Sequence, residues 1–224
     1  MIYSKLLHET NIVNHGFFNK TNGFSKGIYK SLNCGSGSKD KKSFEKKNLN
    51  YVQSKIRSKK NKIILLYQVH SAKFIHIKKI PQKKIIGDAL ITKNRNLPIG
   101  ILTADCAPIL LLDRNKKIIA AVHSGWKGAY KNIITKVLKK FIKLGSNKKD
   151  IIAAIGPAIS QKRYEEGEEF KDKFISKSKK NRVFFKNKRK KIYFDLTKFI
   201  FNQLISFGIL KIDVINKDTF DKKN

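Results

Sequence analysis

Two histidines and one cysteine carry most of the chemistry legible in this chain: His70, Cys106 and His123. Each stands where an apolar, strand-like run gives way to a short polar turn. Ile63 to Tyr67 runs into Gln68-Val69-His70, Ile99 to Leu102 into Thr103-Ala104-Asp105-Cys106, and Ile118 to Val122 into His123-Ser124-Gly125-Trp126. Strand ends let a rigid support present reactive side chains. Two imidazoles and a thiolate form a ligand set for catalytic zinc, with a fourth position left for water or substrate. Donors sharing a tetrahedral zinc, at bonds of about 2.0–2.3 Å, would lie about 3–4 Å apart.

The neighbours of these residues extend the pattern. In Asp105-Cys106-Ala107-Pro108, Asp105 could accept a hydrogen bond from an imidazole or carry a proton. Ser124, Gly125 and Lys127 form a glycine-containing turn ahead of a helix, a seat for a phosphate or carboxylate with a lysine cation beside it. The same residues admit a second chemistry, in which Cys106 is a nucleophile with His123 as its base. Each also has a plainer reading: Cys106 as a small core residue, Asp88 in Gly87-Asp88-Ala89 as an ordinary turn aspartate, and Ser124 to Gly128 as a simple connection.

Around this set, 224 residues and a 41% apolar fraction suffice for one domain with a real core. No stretch approaches the roughly 20 apolar residues of a membrane span. Met1 to Glu9 has neither a long apolar core nor a small-residue cleavage site, so no signal peptide is expected. With only Cys34 and Cys106 as cysteines, a reducing cytoplasm is the expected location. The formal charge of +34 invites a nucleic-acid reading. Against it, only Arg57, Arg95, Arg114, Arg163, Arg182 and Arg189 among the 50 basic residues are arginine. Specific phosphate recognition favours arginine's planar fork. The abundance of lysine, with Ile, Asn and Phe, fits a coding bias, and the basic residues are scattered without interleaved aromatics.

Period and punctuation place the elements that must hold the site. The segment to about Asn50 is turn-rich, Lys39 to Lys47 is a loop or helix start, and Ser54 to Lys62 is a basic connector. Short β-branched runs dominate the middle, with turns at Gly87-Asp88, Asp113 to Asn115 and Ser124-Gly125. Apolar residues at helical spacing from Ala129 to Ile142 predict one amphipathic helix stopped by Gly145. Ile151 to Ile155 reads as a buried strand, and Tyr164 to Glu169 as an acidic stretch opening a helix. Lys177 to Lys191 reads as a loop, Leu196 to Phe207 as a helix and Ile209 to Ile215 as a last strand. Strands and helices mix without regular alternation, so the expected class is α+β in a single domain.

Taken in order, several short motifs form a family pattern. They are Asn14-His15-Gly16-Phe17-Phe18, Ser31-Leu32-Asn33-Cys34-Gly35, Gln68-Val69-His70, Gly87-Asp88-Ala89-Leu90-Ile91-Thr92 and Thr103-Ala104-Asp105-Cys106-Ala107-Pro108, followed by His123-Ser124-Gly125-Trp126-Lys127-Gly128, Ile155-Gly156-Pro157-Ala158-Ile159-Ser160 and Tyr164-Glu165. The chain resembles the laccase-domain, YfiH-type family of bacterial purine nucleoside phosphorylases, once called multicopper polyphenol oxidases. The resemblance implies an α/β/β/α layered fold with mixed sheets and a zinc, or copper, held by His70, Cys106 and His123. It implies phosphorolysis of adenosine, inosine, guanosine and methylthioadenosine, together with adenosine deamination. Some members are linked instead to editing of peptidoglycan precursors.

Site residues follow position by position: Asp105, Cys106 and His123 as catalytic, His15, Ser124, Gly125 and Lys127 as substrate-binding. The expected partners are purine nucleosides and phosphate, with no specific nucleic acid and no membrane, and a monomer is the favoured state. Three departures stand out. Lys127 and Lys20 occupy positions where the family usually has arginine. A Cys-Thr-Phe-like segment, normally followed by an aromatic-Ser-Tyr-Arg-Arg tail, is here Asp218-Thr219-Phe220, and the sequence ends at Asn224. Residues 1–224 are thus expected to be one catalytic domain lacking that usual tail.

Overall fold

The computed structural model describes residues 1–58 and 60–220. The stretch beyond Phe220, where the family's tail would follow, lies outside the described residues. The centre is a six-stranded mixed sheet of order β1-β2-β4-β3-β5-β9. Its strands are β1 (Phe74–Ile77), β2 (Ala89–Thr92), β3 (Ala107–Asp113), β4 (Ile119–Ser124), β5 (Ile151–Ile155) and β9 (Lys211–Val214). The two outer pairs, β1–β2 and β5–β9, are parallel, and the inner pairs are antiparallel. A smaller antiparallel sheet joins β6 (Glu165–Glu166), β8 (Lys191–Phe194) and β7 (Phe185–Lys188). The class is α+β, as the mixture of periods predicts.

Both faces of the central sheet are covered, so β2 and β5 are buried along their whole length. That is why they read as continuous apolar runs rather than alternating ones. One face carries Ala89, Ile91, Ile109, Ala120, Val122 and Ile155 against the helices α3 (Trp126–Tyr130), α4 (Ile133–Lys143) and α6 (Leu196–Phe207). Phe174 of α5 (Glu168–Lys177), with Phe184, Phe194 and Phe199, extends this layer as an aromatic cluster of edge-to-face and tilted pairs. Below the other face lie Leu7 of α1 (Lys5–Glu9) and Phe17 against Leu112, Ile152 and Ala154. Beside them, Ile64, Leu66 and Leu97 pack on Ile77 and Leu90. The remaining helix, α2 (Lys42–Lys55), carries the fully buried Asn48, whose amide donates to Ser25, Ser31 and Asn33 and accepts from Phe24 N–H, pinning the N-terminal loops.

Several predicted elements take a different form. The apolar run at 63–67 is not a strand; it makes two isolated parallel bridges, Ile64 to Ile99 and Tyr67 to Ile86. Cys106 is the last residue of a bend and immediately precedes β3, while His123 lies inside β4. The single helix expected from Ala129 to Ile142 is broken into α3 and α4 at Asn132, which sits in the left-handed region (φ 58°). Asparagine tolerates that conformation, and the Gln203 amide stabilises the break by donating to Ala129 O and Asn132 Oδ1. Gly145, at φ +91°, stops α4 as predicted. The supposed loop 177–191 contains β7 and the hairpin turn through Arg189 and Lys190, both at positive φ, and β8 starts at its last residue. Such turns normally announce themselves with Asn-Gly or Asp-Gly; two basic residues gave no signal. Likewise Glu165-Glu166 form β6, and α5 begins only at Glu168.

Candidate functional site

Strand register brings Cys106 and His123 together. Ala107 pairs with Ser124 and Pro108 with His123, so Cys106 lies opposite Gly125. Alternation then puts Cys106 and His123 on one face of the sheet and Ser124 on the other. Across the β2–β4 edge, the Ala89–Val122 pairing sets Asp88 opposite His123, whose N–H donates to Asp88 O at 2.8 Å. His70 arrives from the loop layer on the same face. The donor atoms of His70, Cys106 and His123 all lie within 4.8 Å of one another. This is looser than the spacing of ligands drawn onto one metal. His70 is exposed and carried on a loop.

Asp88 organises the cluster. Its carboxylate is fully buried and accepts from His123 Nδ1 at 2.9 Å, His70 N–H at 3.0 Å, and Ser71 N–H and Oγ at 2.6 Å each. One carboxylate therefore fixes both the His123 ring and the backbone that carries His70. His70 itself has φ 53°, a left-handed conformation uncommon outside glycine. Strain of this kind costs of order 1–3 kcal/mol and persists where surrounding bonds over-determine it. A second clamp joins the loops that carry His70 and Cys106: the Gln68 side chain donates to Leu102 O and accepts from Leu102 N–H, both at 2.7 Å. Sequence reading treated Asp88 as a turn residue and gave Gln68 no role of its own. Their only signal was position, two residues before His70 for Gln68 and at the mouth of a buried strand for Asp88.

Gly125 is required sterically. A Cβ there would fall 2.7 Å from Cys106 Sγ and 3.3 Å from a His70 ring carbon. Cys106 and His70 therefore close over a position where an added side chain would force one of them to move.

Electrostatics favour a cation. Burial pushes the His123 imidazole below its ordinary range despite the pull of Asp88, leaving it neutral and able to ligate. With Nδ1 occupied by Asp88, Nε2 is the nitrogen available to the cluster. The Cys106 thiol is pushed up by burial and by Asp105 and Asp88. A bare thiolate is thus disfavoured, and a bound cation would reverse that balance. For Asp88, burial pushes the carboxyl up, but the bonds from Ser71 and His123 outweigh it and hold it below the usual range.

Two histidines and a cysteine with an open position fit zinc. A blue-copper site adds a weak axial methionine to the same set. The single methionine, Met1, instead packs against Gly16 in the N-terminal segment. Among the described residues this is also the one group of three or more His, Cys, Asp or Glu donors, where a multi-copper centre needs several.

The other predicted residues fall unevenly. Asp105 does not meet an imidazole; its Oδ1 accepts from Thr219 Oγ1 at 2.8 Å. Ser124 has a fully buried hydroxyl on the face away from His123, without a hydrogen-bond partner among the described residues. The helix after it, α3, has only five residues, too short for a strong dipole. Lys127 is exposed, with Nζ 5.6 Å from the Trp126 ring centre, and Lys173 approaches the same ring at 5.3 Å. His15 is buried and is not one of the three clustered donors: its Nε2 accepts from Ser4 N–H at 3.0 Å, which ties down the start of α1. At the site's edge, burial together with Glu166, Cys106 and Asp105 raises the Tyr164 phenol, keeping it neutral.

Comparison with known proteins identifies the family. The chain is 38% identical over 164 residues to a purine nucleoside phosphorylase of Rickettsia prowazekii, covering 70% of this chain and 66% of the relative. A purine nucleoside phosphorylase of Aquifex aeolicus is 39% identical over 160 residues, covering 71% and 72%. The chain thus spans about two thirds of the length of the Rickettsia relative it matches. In fold it is similar to Bacillus licheniformis hypothetical protein YfiH (TM-score 0.82, 24% identity, 89% of this chain and 80% of that one). It is equally similar to YlmD from Geobacillus stearothermophilus (TM-score 0.81, 22% identity, 92% and 80%). Residues 14–224 match the sequence model of the multi-copper polyphenol oxidoreductase laccase family, and the chain belongs to that family.

Proposed function

We propose that this protein is a zinc-dependent purine nucleoside phosphorylase acting on adenosine, inosine, guanosine and methylthioadenosine, with an adenosine deaminase activity at the same site. Residues 1–224 would form one catalytic domain, acting as a cytoplasmic monomer. The observation that carries the reading is the convergence of His70, Cys106 and His123, with Gly125 against two of them and the Asp88 carboxylate bonded to His123 and to the backbone of His70. The names of the relatives supply the substrate class.

His70, Cys106 and His123 would hold the metal, and Asp88 would keep His123 in the ligating tautomer. Bound there, zinc supplies Lewis acidity at an open coordination position. Lys127, two residues after Gly125, offers cationic charge for a phosphate, with Lys173 against the same Trp126 ring. In phosphorolysis a phosphate oxygen forms a bond to the anomeric carbon as the carbon–nitrogen bond to the base breaks, and the departing purine takes a proton. In deamination a water oxygen adds to the purine ring and ammonia leaves. Asp105, exposed beside Cys106, is the proton carrier we assign to both. Gly125 gives access through its missing side chain, and any contact from Ser124 comes from its backbone. His15 would act at a distance, by holding the N-terminal segment. The +34 charge is read as generic surface, with no specific nucleic-acid or membrane partner; among the described residues no helix is long and apolar enough to cross a membrane.

One observation favours a second reading, a cysteine hydrolase: Cys106, His123 and Asp88 form a nucleophile–base–orienting-acid series. The raised thiol and the second imidazole argue against it. Cys106→Ser separates the two. The purified protein and the variant are assayed with adenosine and inosine, with and without phosphate, by chromatography of products and by metal analysis. We expect phosphate-dependent release of base by the wild type, and joint loss of zinc and turnover in the variant. Turnover lost with metal retained would favour the nucleophile, and purine nucleoside activity retained in the folded variant would end the proposal.

A further inference from the structure

The turn that carries Cys106 has an unusual support. Thr103, Ala104 and Asp105 are exposed and belong to no strand, so the sheet holds only the C-terminal side of Cys106. On the outer side, the support comes from residues more than 110 positions later in the chain. Residues 217–220 run along 156–160, with Ala158 and Asp218 bridged in parallel, Ala158 N–H donating to Lys217 O at 3.3 Å and Thr219 N–H to Ala158 O at 3.2 Å. Ser160 donates to the Asp218 carboxylate through N–H at 3.2 Å and Oγ at 2.5 Å, and Arg163 lies 5.1 Å from the Phe220 ring centre. This makes residues 217–220 a fixed strap. From it, Thr219 Oγ1 donates to Asp105 Oδ1 at 2.8 Å, while Ile159 N–H donates to Asp105 O at 2.9 Å.

An exposed aspartate on a turn would otherwise sample several rotamers. Here its carboxylate and its carbonyl are each held by one donor from the strap and its neighbour. We propose that Thr219 is a positioning residue, which orients the Asp105 carboxylate and, through the same turn, holds Cys106 Sγ toward His70 and His123. The inference rests on the reading of those three residues as metal ligands. It does not make Thr219 a catalytic residue, because it acts through Asp105.

Thr219→Val keeps the shape of the side chain and removes the donor. We expect the zinc-loaded variant to lose metal to a competing chelator about tenfold faster than wild type, in the range seen for outer hydrogen bonds to metal sites. Turnover of inosine should fall through kcat, with KM within about twofold, and Thr219→Ser should restore both. In an Asp105→Ala background, Thr219→Val should add nothing, because the acceptor is already gone; this comparison also serves if one single variant folds poorly. Metal loss at the wild-type rate in Thr219→Val, or an undiminished effect in the Asp105→Ala background, overturns the role of Thr219 while leaving the metal site intact. A wild type that takes up no zinc overturns the metal reading itself, and this proposal with it.

Discussion

His123 and His15 are both buried imidazoles pushed below their ordinary range by burial, yet only one belongs to the candidate site. What separates them is the use of their nitrogens. His123 gives Nδ1 to the Asp88 carboxylate, leaving Nε2 directed to a space shared with His70 and Cys106. His15 spends Nε2 on the Ser4 backbone N–H, and its other hydrogen bond is to the backbone of Val13. A histidine whose two nitrogens are both satisfied by the main chain is a structural staple. One backed by a carboxylate on a single side is prepared to ligate.

The largest effect should come from removing the carboxylate that creates this difference. Asp88→Ala orphans a buried imidazole N–H and several amides, at about 1–3 kcal/mol for each donor left unpaired. It also frees His70 from its left-handed backbone. We expect zinc content after dialysis against a chelator to fall at least about 100-fold in affinity terms, with a clear drop in melting temperature. A variant that kept metal normally would show that Asp88 is structural and that the two histidines differ less than proposed.

Gly125→Ala tests the space rather than the bonds. The added methyl group would meet Cys106 Sγ at 2.7 Å, so the sulfur or the His70 ring must move. Metal retention should suffer more than stability, since the crowding falls on ligands and not on the main core. Equal zinc uptake by the variant and wild type, measured in the same titration, would mean that the cluster is more open than the geometry indicates.

His15→Leu should give the opposite and smaller pattern. It strands the buried Ser4 N–H, costing about 1–3 kcal/mol, but should leave zinc binding unchanged. Its pH dependence has a definite sign. The folded imidazole titrates below its ordinary 6.5, so in mild acid the unfolded chain takes up the proton first. Its contribution to stability is therefore complete above about pH 6.5 and falls as the pH drops below that value. The deficit of His15→Leu relative to wild type should accordingly shrink from pH 7.5 towards pH 5 in denaturant titrations. A deficit independent of pH would remove the electrostatic part of the argument.

Much of this was legible in the sequence because it depends on local pattern. The apolar run Ile151 to Ile155 becomes β5, and the helical spacing from Leu196 to Phe207 becomes α6, capped by Asp195 through Lys198 N–H. Burial on both faces wrote β2 and β5 as continuous hydrophobic segments. The donors His70, Cys106 and His123 were identifiable by residue type and setting, and the ordered motifs around them carried the family. The two-residue turn at Arg189-Lys190 and the break at Asn132 were hidden, because both place non-glycine residues at positive φ, where the chain gives little warning.

The partners of the three candidate donors were decided only by the tertiary structure. Asp88 meets His123 because register across β2 and β4 sets them opposite, 35 positions apart in sequence. Gln68 meets Leu102, and Thr219 meets Asp105, through contacts between segments that no local period relates. Side-chain chemistry and hydrophobic periodicity are properties of a few neighbouring residues, and a sequence displays them directly. Which nitrogen is left free, which carboxylate is buried behind it and which hydroxyl steadies the turn depend on how distant strands and loops pack, and there the fold alone decides.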